Sequence, residues 1–97
     1  MDRKIPQSVG DVLRNLLQES ELQGRMDELN AARLWPKIVG EYIAANTSKP
    51  SVSKGVMMVG VPNAALRNEL YISRSVLMKN INHSLGKEII KEIKFTS

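Results

Sequence analysis

Cysteine is absent from this 97-residue sequence, and histidine occurs once, at His83. The first absence excludes disulfides and thiolate metal sites. The second leaves no partner groups for a histidine-based triad or a zinc site, so His83 reads first as a surface or interface residue. No long apolar run follows Arg3 and Lys4, so neither a secretory signal nor a membrane span is expected. Gly55 and Gly60 lack P-loop spacing, and no Gly-Lys-Ser/Thr follows them. Acidic pairs at a suggestive spacing, internal repeats and low-complexity segments are missing too. The expectation is a protein without enzymatic chemistry, metal or cofactor.

What remains is a chain of single-domain length with a modest core. Its formal net charge is +4, with a pI near 9.6. That mild excess permits phosphate contacts through counterion release without requiring them. An ordinary solvated basic surface accounts for it equally well. The lack of cysteine suits a reducing cytoplasm.

Residues 1–7 read as a flexible arm closed by Pro6, and residues 8–97 as the domain. Ser8 and Asp11 form a start resembling a capping box. Val9, Val12, Leu13, Leu16 and Leu17 recur at helical spacing, and Gly24 is a plausible stop, giving a first helix over about 9–22. Asp27 caps a second helix to Ala45, with Leu29, Ala32, Trp35, Ile38, Val39, Tyr42 and Ile43 as its apolar stripe. Pro36 removes one backbone N–H there and predicts a kink near Trp35. Gly40 suggests close approach of another element. Ser51–Ser53 and Val56–Val61, joined by Lys54-Gly55, read as a hairpin whose second strand is central or covered on both sides. Pro62 and Asn63 open a third helix that runs unbroken to Leu85 and stops at Gly86. Its residues Leu66, Leu70, Leu77, Ile81 and Leu85 form the main stripe; Ala65, Ile72 and Val76 lie nearly opposite. Residues 88–95 alternate as an edge strand, which a right-handed crossover would make parallel to the second strand if the two share a sheet.

The predicted fold class is α+β, in the order α-α-β-β-α-β, with three helices packed on a small three-stranded sheet. That order resembles a KH-like domain of the second type. A KH domain grips single strands with a G-x-x-G loop between two helices, and no such loop occurs here. Any nucleic-acid contact needs another surface. Arg67, Tyr71 and Arg74 share a stripe, where guanidinium groups flanking a phenol suit phosphates and a stacked base. Lys37, Lys49 and Lys54 lie around the link and the hairpin. Solubilising charges, with Tyr71 at the core margin, are the alternative. Trp35 reads as core rather than as a stacking platform. The stripe of Ala65, Ile72 and Val76 is either covered by the first or second helix, or open as a partner-docking patch with Lys79 and His83 as rim. Coverage by a second copy would give a homodimer.

Several features in order give a resemblance. They are W-x-x-I-V-G at Trp35, Ile38, Val39 and Gly40, the Lys54-Gly55 turn, and Val59 with Val61. Glu69-Leu70 and the L-x-x-x-I-N-x-x-L-G helix end from Leu77 to Gly86 complete the set. Together they resemble the DciA family, bacterial proteins that act in loading the replicative helicase of the DnaB type. The resemblance covers almost the whole chain and also implies a KH-like fold. It implies a non-enzymatic cytoplasmic adaptor whose partners are a DnaB-type helicase and DNA, single-stranded or forked. ATP hydrolysis would belong to the helicase. A stand-alone RNA- or DNA-binding module and a dimerising interaction domain remain alternatives.

Overall fold

The computed structural model describes residues 8–97. The expected arm over 1–7 lies outside the described residues. Helix α1 spans Val9–Val39, a run of 31 residues. Ser8 caps it from extended backbone, and its hydroxyl accepts the Asp11 N–H at 3.2 Å. Asp11 in the first turn complements the positive end of the helix dipole. The two helices expected here are therefore one as far as Val39. Gly24 does not stop the ladder, because glycine inside a helix costs only about 1 kcal/mol relative to alanine and good helix formers continue on both sides.

The break falls at Gly40 rather than near Trp35. Pro36 sits in the closing turns, where few further ladder bonds remain to be lost. Gly40 takes φ 92° and ψ 159°, a backbone state that side-chain-bearing residues rarely adopt, and its N–H still donates to the Pro36 carbonyl at 2.9 Å. A Cβ at Gly40 would meet nothing within 4 Å, so the requirement is conformational and not the close approach expected. A short helix α2, Glu41–Ala45, follows at once.

Strands β1 (Ser51–Ser53) and β2 (Val56–Gly60) form the expected hairpin. Lys54 and Gly55 both have positive φ (51° and 81°), as a tight turn matched to strand twist requires. Strand β3, Glu92–Thr96, pairs parallel to β2, and the sheet order is β1-β2-β3. β2 is thus central, but only one sheet face is covered. Met57, Val59 and Ile93 are buried on it, whereas Met58 on the other face is 46% exposed. β3 begins later than expected. Ile90 precedes the strand and is buried. Asn82 holds that segment: its Oδ1 accepts the Ile89 and Ile90 N–H groups at 3.0 and 2.8 Å, and its Nδ2 donates to the Ile90 carbonyl at 2.8 Å.

The third expected helix is two helices. α3 spans Ala64–Ile72 and α4 spans Arg74–Leu85. Asn63 caps α3 by accepting the Leu66 N–H at 2.9 Å, and Gly86 closes α4 in the left-handed state. Ser73 separates them in the bridge region, φ −90° and ψ 6°. Apart from Arg74, the stretch Tyr71–Val76 consists of aromatic, β-branched and serine residues, which are weaker helix formers, and the interruption falls there. The architecture is α+β, with several helices on a small mixed sheet. Ala31, Trp35, Leu70, Leu77 and Ile81 supply the helical side of the core.

Candidate interaction surfaces

Only the second half of α1 is packed. Its buried residues are Asp27, Ala31 and Trp35, and the helix packs against α4, β1 and α2. Residues 9–26 reach past the domain, which gives principal extents of 58 × 23 × 23 Å. At about 100° per residue, Val9, Val12, Leu13, Leu16 and Leu17 lie in phase with Ala31, Leu34, Trp35 and Ile38. The apolar residues of the two halves therefore share one side of α1, interrupted at Ser20, Gln23 and Asp27, and among the described residues none in the first half is buried. Val9 is 76% exposed, Leu13 54%, Leu16 55% and Leu17 65%. By sequence, these residues read as the apolar face of a separate first helix ending near Leu22. The shared phase on either side of Gly24 is the signal that the two expected helices are one.

Where the free half joins the packed half, Asp27 holds a clasp. Its carboxylate accepts the Lys87 ammonium at 2.9 Å and the Gln23 side-chain amide at 3.0 Å. The Lys87 hydrogen bond, then that of Gln23, lowers the Asp27 pKa from the ordinary aspartate value, against an opposing effect of burial. Trp35 is 1% exposed, donates its indole N–H to the Thr47 hydroxyl at 3.0 Å and lies 6.3 Å from the Phe95 ring. Its faces are not open to a base.

The six basic and aromatic residues singled out for nucleic acid do not form one cluster. Lys54 lies in the turn before β2, whereas Arg67 donates from Nη1 to the Val61 carbonyl, just past the end of β2, at 2.8 Å. A strand of that length separates them by roughly 17 Å. Arg67 is half-buried and Lys37, Lys49 and Lys54 are exposed. Across the α3–α4 junction, the Arg74 guanidinium lies 4.0 Å from the Tyr71 ring centroid and donates to the Tyr71 carbonyl at 2.8 Å. Arg67 therefore supports the backbone, while Tyr71 and Arg74 form an exposed stacked pair.

The opposite stripe is open within the monomer: Ile72 is 70% exposed and Val76 60%, and Ala65, Lys79 and His83 are exposed. Neither α1 nor α2 covers it. Val76, Lys79 and His83 share one face of α4 by their spacing, with Ile72 just before the break. Among the described residues no group of three or more His, Cys, Asp or Glu side chains could hold a metal ion. No helix of the described residues is long and apolar enough to cross a membrane.

The sequence model of the family described as "Dna[CI] antecedent, DciA" matches residues 8–95, from the cap of α1 into β3. The chain belongs to the DciA family. Relatives of the DciA chain include a UPF0232 protein of Mycobacterium marinum (strain ATCC BAA-535 / M), 26% identical over 95 residues. A UPF0232 protein of Mycobacterium ulcerans (strain Agy99) is also 26% identical over 95 residues. The UPF0232 protein RHA1_ro03670 of Rhodococcus jostii (strain RHA1) is 22% identical over the same length. These matches cover 98% of this DciA chain but 50–51% of each relative, so the chain spans about half their length. The family match takes in all of α1, so the overhanging half of that helix is part of the DciA domain.

Proposed function

We propose that the chain is a non-enzymatic, cytoplasmic adaptor that binds a DnaB-type replicative helicase and DNA and assists helicase loading. The observation that carries this reading is the family match over 8–95. The exposed geometry supports it. A helix with a water-facing apolar stripe needs a partner, since an isolated amphipathic helix is marginal in water. The α1 stripe and the Ile72–Val76 patch with its Lys79 and His83 rim are the protein-facing surfaces. The exposed cations Lys37, Lys49, Lys54 and Arg74, with Tyr71, face DNA; Arg67 contributes through its remaining N–H donors. Two modest contacts on one small body reinforce each other through effective concentration.

The element order, two helices, a hairpin, two helices and a strand, is roughly compatible with the KH-like fold that this reading adopts. At the junction between the paired helices this chain carries Tyr71-Ile72-Ser73-Arg74 in place of G-x-x-G, so DNA contact there uses a side-chain stack and not a backbone clamp. A homodimer is the second reading, favoured by the same uncovered α1 face. Co-expression with the host's replicative helicase and recovery of a stable complex supports the adaptor. Recovery of a homodimer with no helicase bound favours the second reading.

A further inference from the structure

A cleft of about 410 Å³ opens between α1 and the link that follows α2. Its floor is apolar: Leu29, Ala32, Trp35, Pro36, Ala44 and Pro50. The charged side chains lining it are Arg33 and Lys49, both cationic. A second, smaller depression continues along β1, sharing Leu29, Ala32 and Pro50. The acid in that depression, Glu28, already accepts the Lys54 N–H at 2.9 Å. The cleft lies within the usual size range of ligand pockets, ~300–1,000 Å³.

We propose that this cleft docks a short acidic peptide segment of a partner protein, which inserts one bulky apolar side chain between Arg33 and Lys49. Charge complementarity selects the flanks of that segment, because both rim cations lie where a carboxylate would sit beside the anchor. The polar wall atoms select the anchor. Thr47 Oγ1 is taken up by the Trp35 indole N–H at 3.0 Å and by the Ala44 carbonyl at 3.2 Å. Ser48 Oγ accepts the Gly60 N–H at 2.7 Å. Little polar capacity is left on the wall to read a base edge, and a buried base with unmet hydrogen bonds would bind poorly. An apolar side chain carries no such penalty. Pro36 has no N–H, so the Ala32 carbonyl lacks its usual helical donor. The inference stands apart from the helicase reading, since it specifies the chemistry of the segment and not its parent protein.

The test titrates the isotopically labelled chain with acetyl-Asp-Asp-Phe-Leu-Asp-Asp-amide, followed by amide shifts and by fluorescence of Trp35, the single tryptophan. Controls are the same peptide with Lys in place of Asp, one with Ser in place of Phe-Leu, and a short oligo-dT. Saturable shifts at the floor residues Leu29, Ala32 and Ala44 with the acidic apolar peptide alone support the proposal. Lys49→Glu, at an exposed site, should then weaken binding by roughly tenfold or more. Ala32→Leu, which fills the floor, should abolish these shifts while leaving oligo-dT affinity unchanged. No cleft shifts at millimolar acidic peptide, equal shifts with the Lys peptide, or oligo-dT shifting the floor residues Leu29, Ala32 and Ala44 overturns it.

Discussion

Replacing Leu13 and Leu16 together by Glu separates the two halves of α1 most sharply. Leu13 is 54% exposed and Leu16 55%. The aliphatic stem of Glu keeps much of the contact that a leucine makes with its own helix one turn away. Leu and Glu have similar helix propensity. The folding cost is therefore about 0.5 kcal/mol or less per site, typical of surface changes. For a domain of this size that moves Tm by only a few degrees, at ~4–8 °C per kcal/mol. Binding responds differently. Completing the burial of each leucine against a partner contributes about 1 kcal/mol, and a carboxylate in its place adds a desolvation penalty. The pair should weaken helicase binding by about 3 kcal/mol or more, over 100-fold in Kd. Circular dichroism melting and isothermal titration against the helicase read the two effects. A Tm fall beyond about 10 °C would mean that the stripe is packed in the free protein. An unchanged Kd with an intact fold would remove α1 from the interface.

Trp35→Ala should cost about 3–5 kcal/mol and unfold much of the population at 37 °C, read by chemical denaturation, because the side chain is 1% exposed in the core. Asn82→Ala strands the Ile89 and Ile90 N–H groups and the Ile90 carbonyl, and should lower stability by about 2–4 kcal/mol with fast amide exchange at those positions. Asp27→Asn should lower Tm at neutral pH. Because the folded Asp27 carboxyl has a depressed pKa, its stabilising effect is present above the usual aspartate range and disappears as pH falls through the folded value, so the Tm gap to wild type should close in strong acid. Arg74→Ala with Lys49→Ala should weaken DNA binding, flatten its salt dependence and leave Tm nearly unchanged, whereas Arg67→Ala should also lower Tm by a few degrees through the lost Val61 contact. An unaltered salt slope would remove Arg74 and Lys49 from the DNA surface.

Local chemistry was legible in the sequence wherever a residue dictates its own backbone. Ser8, Asn63, Lys54-Gly55 and Gly86 cap or turn as their side chains and φ angles demand. The parallel placement of β3 beside β2 follows from the helical connection between them once the two share a sheet. Breaks were harder to place. Gly24 and Pro36 carry breaker residues, yet the ladder passes both and fails at Gly40, where φ is positive. Surfaces were hardest. Val9–Leu17 and Ala31–Ile38 have the same period and phase, and no local signal tells which half meets a core. The Ile72–Val76 stripe posed the same question, and burial resolved it as open within the monomer. Arg67 looked like a free cation until the end of β2 brought the Val61 carbonyl beside it.

The account depends on one body gripping a motor protein and a polynucleotide at once. Retention of the host's replicative helicase on forked DNA, measured with and without this chain, addresses that directly. The account predicts more retained helicase when the wild-type chain is added, and none of that gain with the Leu13→Glu, Leu16→Glu protein. Equal retention in the presence and absence of the wild-type chain, at concentrations where it is folded, would contradict it.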